Sequence, residues 1–107
     1  MSNVDQEVDE ENRRRYGRQH VLLKARLDTG EYEFECVAYD LSLSGARIKL
    51  NLPLQTQCEV WLIVKDSPHI PAKVIRVNEG FIGLEFSLPP EQISKMLGNI
   101  GSQLPKA

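Results

Sequence analysis

Only two cysteines occur in the 107 residues, Cys36 and Cys58, and neither stands in a CxxC pair or in a Cys/His cluster. That spacing argues against the usual zinc frameworks. It also leaves too little sulfur for a disulfide-stapled fold. Each cysteine falls on an apolar alternation, so buried free thiols in a reducing compartment are expected. Long apolar runs are missing too: none approaches the ~20 residues that a membrane-spanning helix needs. The amino-terminal segment is acidic where a secretory leader is basic and then apolar, so the chain is expected to be cytoplasmic, without a membrane partner. Histidine is scarce. His20 and His69 lie far apart in sequence with no ligand pattern around either, and neither a metal nor an acid–base role is expected. With no Ser/His/Asp or Cys/His nucleophile context, no phosphate-cradling GxxxxGK loop and no recognisable carboxylate pair, the chain is not expected to be an enzyme or to carry a cofactor.

Basic residues are absent from the first twelve positions, which hold Asp5, Glu7, Asp9, Glu10 and Glu11. Taking those five acids from the total of 15 leaves ten against 13 bases, so a net charge of −2 hides a body at +3. Residues 1–12 also lack aromatics and are expected to form a disordered acidic tail. The remaining 13–107 is the right length for one domain with one core.

Within that body, period-two alternation recurs between turn signals. Val21, Leu23, Ala25 and Leu27 share one face, and Thr29-Gly30 then turns the chain. Tyr32, Phe34, Cys36 and Ala38 oppose Glu31, Glu33 and Glu35, and a polar loop from Asp40 to Gly45 follows. Ala46, Ile48, Leu50 and Leu52 alternate with Arg47, Lys49 and Asn51 until Pro53. Cys58, Val60, Leu62 and Val64 make a fourth run, and Ile70 to Val77 a fifth. Asn78-Glu79-Gly80 is a hairpin turn into Phe81 to Phe86. Trp61 falls opposite Val60 and Leu62 and is expected to form a second core layer under a helix. Six short antiparallel strands with one apolar face each are most economically closed into a barrel, because closure removes the edges. Ser87-Leu88-Pro89-Pro90-Glu91 reads as a helix start. The stripe Ile93, Met96, Leu97, Ile100 then predicts a short C-terminal helical segment over 88–101, packed on the barrel and stopped at Gly98 or Gly101.

Two elements carry chemistry. Arg13, Arg14, Arg15 and Arg18 crowd into six residues just before the first strand. A guanidinium binds phosphate through paired N–H groups, binds the O6/N7 edge of guanine in the same way, and stacks on a purine. The other element is Asp40-Leu41-Ser42-Leu43-Ser44-Gly45. Its carboxylate matches the paired N1–H and N2–H donors of guanine, Ser42 adds a hydroxyl, and Gly45 permits a positive φ or a close backbone approach.

Arg14-x-x-x-Arg18 followed by Asp40-x-Ser42-x-x-Gly45 resembles the RxxxR and (D/N)xSxxG pair of PilZ domains, bacterial receptors for cyclic di-GMP. The resemblance covers nearly everything past Asn12, including the last strand Ile82-Gly83-Leu84-Glu85-Phe86 and the trailing helix. It implies an all-β, six-stranded antiparallel PilZ-type barrel with a short C-terminal α-helix, its ligand loop at 13–19. Arg14 and Arg18 would hold phosphates and guanine edges, Asp40 and Ser42 would read a guanine, and Gly45 would shape the turn. Arg13 is similar to the arginine of members that take two stacked ligand molecules, and Arg15 would stack or remain solvated. Gly17 replaces the bulkier residue often found before the second motif arginine. By this reading the loop wraps around cyclic di-GMP, a second messenger, and changes how the protein meets an unidentified downstream effector protein. Two rivals stand beside it. One is a small barrel binding single-stranded nucleic acid, disfavoured by the shortage of strand-face aromatics for stacking. The other is a ligand-independent adaptor of PilZ-like fold.

Overall fold

The structure, a computed structural model, describes residues 19–103. The acidic tail and all four arginines of the candidate ligand loop lie outside that range. The described chain runs β1 (Gln19–Asp28), β2 (Glu33–Leu41), β3 (Gly45–Lys49), β4 (Glu59–Val64), β5 (Ile70–Asn78), β6 (Phe81–Phe86), α1 (Pro90–Leu97) and α2 (Asn99–Gln103). The six strands close in the order β1-β2-β3-β6-β5-β4, every neighbour antiparallel. This is the expected barrel.

Alternation builds the interior. Ala25 and Leu27 of β1, Cys36 and Ala38 of β2, Ala46 and Ile48 of β3, Val60, Leu62 and Val64 of β4, Ile70, Ala72 and Val74 of β5, and Ile82, Leu84 and Phe86 of β6 are all buried. They form one apolar cluster, which Ile93 and Leu97 of α1 join. The β5–β6 connection is the two-residue turn Glu79-Gly80, both with positive φ (53° and 83°), the geometry that matches strand twist.

Several expectations need correction. Tyr32 belongs to the β1–β2 turn and is 68% exposed, so it is not a core residue; Phe34 is half-buried. Strand β3 stops at Lys49, three residues earlier than the apolar alternation suggested. Leu50 and Leu52 still pack against the core, but from a loop whose Leu50 N–H donates to the Gly80 carbonyl at 2.9 Å. Trp61 does not lie in a layer under the helix: its ring edge sits 3.7 Å from where a Cβ on Gly30 would project, so it covers the first hairpin. The helical segment is two pieces, because Gly98 adopts φ +63° and caps α1 by donating its N–H to Ser94 and Lys95 carbonyls. Gly101 then lies inside α2, where a Cβ would overlap the Ser94 carbonyl.

Both cysteines are free; Cys36 is buried as expected, but Cys58, which precedes β4, is only half-buried. Burial pushes the Cys36 pKa up from 9.0 to about 11. At pH 8 its thiolate fraction is therefore about a hundredfold below that of an ordinary cysteine, and the thiolate is the reactive form. Thiol titration should label half-buried Cys58 first, with Cys36 reacting at a comparable rate only in strongly alkaline buffer or after unfolding; equal rates at pH 8 would contradict the burial. The fold favours the neutral thiol, so its contribution to stability is complete below pH 9. It is lost as pH rises towards 11.

Candidate functional site

Strand β2 would carry Asp40 into the barrel interior if its alternation ran unbroken from Cys36 and Ala38. It does not, because a register shift intervenes. Ala38 faces Ile48 but Asp40 faces Arg47, so Tyr39 is an extra residue on β2, and Leu41 then faces Ala46. That bulge reverses the parity of the strand. Leu41 turns into the core, fully buried, while Asp40 moves onto the outer face beside Arg47. A second irregularity lies on the other side, where β1 shifts register between His20 and Leu23, and His20 stands across from Asp40. Two bulges therefore flank one carboxylate, which is how the strands re-aim it.

Asp40 is only 4% exposed. Arg47 Nε lies 3.0 Å from Asp40 Oδ2, an ion pair that supplies counter-charge to a carboxylate removed from water. Arg47 is itself held: its guanidinium lies 4.7 Å from the Phe81 ring centroid, and Tyr39 meets Phe81 edge-on at 5.3 Å.

Ser42 has a local part in the turn. The residue is 2% exposed, and its Oγ accepts from the backbone N–H groups of Ser44 at 3.1 Å and Gly45 at 3.2 Å. Its own N–H donates to the Gly45 carbonyl at 2.9 Å. The hydroxyl thus ties the three-residue link between β2 and β3 into a closed turn, and Leu43 from the same link is buried in the core. Gly45 is not in the left-handed region. Its need for glycine is close approach, because a Cβ there would overlap the Leu84 carbonyl oxygen of β6. Asp40, Ser42 and Gly45 accordingly form one unit, in which Ser42 and Gly45 fix the turn and Asp40 supplies the outward polar group.

The chain enters the barrel at this same corner. Gln19 opposes Leu41 and His20 opposes Asp40, and Arg18 is covalently next to Gln19. Arg13, Arg14 and Arg15 precede it in the stretch outside the described residues.

Sequence reading missed two groupings. Arg47, Phe81 and Tyr39 come from three separate segments, and only strand register brings them together. The other is at the far end of the β1–β2 hairpin: His69 Nε2 lies 3.5 Å from Asp28 Oδ2 and 3.6 Å from Glu33 Oε2, and Glu33 also pairs with Arg26 at 2.9 Å. Eight residue steps along β1 lead from His20 to Asp28 of this cluster, about 26 Å at strand rise. A depression of about 680 Å³ is lined by Lys24, Arg26, Glu35, Lys65 and Asp66, residues of mixed charge, with Cys36 and Val37 between them. Among the described residues no helix is long and apolar enough to cross a membrane.

A closed six-stranded barrel with a C-terminal helix and a carboxylate corner at its chain entrance defines a known class of small β-barrel domain. Residues 12–100 match the PilZ domain family, and the chain belongs to that family. Among solved structures it is similar to the PilZ domain of CeSA from a cellulose-synthesizing bacterium, with TM-score 0.59 and 24% identity, covering 71% of this chain and 85% of that one. It is also similar to the Bacillus subtilis inhibitor of motility MotI/DgrA, with TM-score 0.61 and 23% identity, covering 79% of this chain. A third is the Borreliella burgdorferi PlzA protein in complex with c-di-GMP, with TM-score 0.55 and 18% identity, covering 90% of this chain. The matches span 48% of the MotI/DgrA chain and 44% of the PlzA chain. No functionally curated protein matches the sequence.

Proposed function

We propose that this chain is a receptor for cyclic di-GMP, held between the arginines of 13–18 and the Asp40 corner, and that ligand capture changes the surface offered to a downstream protein. The observation that supports the reading is the register of β1 on β2: Gln19, the residue after Arg18, pairs with Leu41, and the next residue, His20, pairs with Asp40. Phosphate-binding forks and a guanine-reading carboxylate are therefore connected at one point of the barrel. Arg14 and Arg18 take phosphate oxygens and guanine edges, Asp40 takes the N1–H and N2–H donors of one guanine, and Arg13 favours a stacked pair of ligand molecules over one. Ser42 and Gly45 serve the site through the turn that carries Asp40.

PilZ domains are receptor and adaptor domains rather than enzymes, and the PlzA relative was solved with c-di-GMP bound. Both agree with this reading. Isothermal titration of cyclic di-GMP into the full chain should give micromolar or tighter binding that excess GTP does not displace. A folded sample that takes up no cyclic di-GMP would sink the proposal in favour of the adaptor. Binding of oligonucleotides that collapses steeply between 50 and 200 mM salt, with no preference for the cyclic dinucleotide, would favour the nucleic-acid reading instead.

A further inference from the structure

Strand β6 carries Gly83 directly across from Arg47 of β3. On the outer face of a barrel strand, a residue without a side chain leaves a gap as deep as the backbone. Here the gap opens into a slot of about 540 Å³ lined by Arg47, Ile75, Arg76, Asn78, Phe81 and Gly83, with Glu79 at the hairpin end. Arg47 forms the wall between this slot and Asp40, and its side chain keeps 47% of its surface open to solvent. The Nε edge of the guanidinium faces Asp40 Oδ2 and its Cζ lies over the Phe81 ring, 4.7 Å from the centroid. The slot has a second guanidinium in Arg76 and apolar surface in Ile75, which is 46% exposed. That mixture suits a flat, electron-rich aromatic ring better than a compact anion: apolar contact below, cationic planes at the sides.

We infer that the Arg47–Gly83 slot is a purine-binding subsite continuous with the Asp40 corner, and that Arg47 serves both by aligning the carboxylate with its edge and stacking a base with its plane. The inference rests on the proposed dinucleotide ligand: one guanine lies on Asp40, and another purine of the bound ligand enters the slot. Stacking is tolerant of base identity, whereas the Asp40 contact is not. The corner therefore demands guanine, and the slot accepts any purine.

The test uses the full chain and four variants. Arg47→Leu removes both roles, Arg47→Lys retains the charge without the plane, Phe81→Leu frees the plane, and Gly83→Val fills the slot while leaving Asp40 and Arg47 in place. A Cβ at Gly83 would make only ordinary contacts, 3.5 Å from Ile75 and 3.6 Å from Arg76, so a methyl group fits there, and the valine is checked by its melting temperature. Affinity for cyclic di-GMP should fall at least tenfold in Gly83→Val and further in Arg47→Leu, with Arg47→Lys and Phe81→Leu between them and the wild type. Melting temperatures, measured alongside, separate loss of fold from loss of site. In the wild type, cyclic GMP–AMP, with one guanine, should bind within about tenfold of cyclic di-GMP, and cyclic di-AMP far more weakly. Wild-type affinity in both Gly83→Val and Arg47→Leu would overturn the subsite while leaving the receptor reading intact. Failure of the wild type itself to bind any of the three dinucleotides would overturn both.

Discussion

Alanine at Arg14 or at Arg18 is expected to abolish cyclic di-GMP binding at concentrations that saturate the wild type. Each guanidinium offers a planar fork that meets a phosphate or a guanine edge with two charge-assisted hydrogen bonds. At about 1.5–3 kcal/mol apiece, one fork contributes about 3–6 kcal/mol, or roughly a hundredfold to ten-thousandfold in affinity. Lysine at either position should restore little, because a point charge supplies attraction without the paired geometry. Isothermal titration measures the loss, and thermal melting checks it independently. Ligand at a hundred times its Kd stabilises the folded wild type by about 2.7 kcal/mol, an upward shift the two variants should lack. Melting temperatures without ligand separate loss of fold from loss of site in the two variants. Undiminished binding by both variants would refute the assignment of 13–18 as the ligand loop.

The arginine block and the Asp40 motif were legible because each is a local string of chemistry-bearing residues. The barrel was legible for a related reason: a strand half-buried against a core writes its period of two into the sequence, and turns such as Glu79-Gly80 punctuate it. What stayed hidden depends on register between strands. Nothing in the order Ala38-Tyr39-Asp40 says that Tyr39 is an extra residue against β3, yet that single insertion decides whether Asp40 faces the core or the outer surface of the barrel. The shelf of Arg47 and Phe81 is likewise a product of β3–β6 pairing, with 33 residues intervening between the two in sequence. His69 illustrates the same limit at the far pole, where the β4–β5 loop delivers it to Asp28 and Glu33. Leu50 and Leu52 failed in the opposite sense: they keep the strand period and the apolar contact, but they pack on the core from a loop. Period alone reports burial. It does not report hydrogen bonding to a neighbouring strand.

Gly45→Ala is expected to cause the largest loss of stability of any single-methyl change considered at this corner, and to weaken ligand binding through the fold rather than through a lost contact. Gly45 pairs with Glu85 where β3 joins β6. An added Cβ would overlap the carbonyl oxygen of Leu84, with the Leu84 carbonyl carbon at 3.4 Å and the Glu85 Cα at 3.5 Å in ordinary contact behind it. All three are backbone atoms, so no side-chain rotation relieves the conflict. The strands would have to separate against the hydrogen bond from Phe86 N–H to Ser44 O at 2.9 Å, while Gly45 is also held in the turn by the Ser42 N–H to Gly45 O bond at 2.9 Å and the Gly45 N–H to Ser42 Oγ bond at 3.2 Å. Overpacking of this kind costs about 1–3 kcal/mol, which for a domain of this size lowers the melting temperature by roughly 4–20 °C. Gly83→Ala is the matched control, since it places the same methyl group on the same sheet with ordinary contacts only, and it should melt within a few degrees of the wild type. If the two variants melt alike, close approach is not what position 45 requires. If Gly45→Ala melts low but binds cyclic di-GMP as the wild type does, the turn is a structural device whose geometry the ligand does not read. The expected result is a loss of both, because the same hydrogen bonds that hold β3 on β6 set the angle at which β2 presents Asp40.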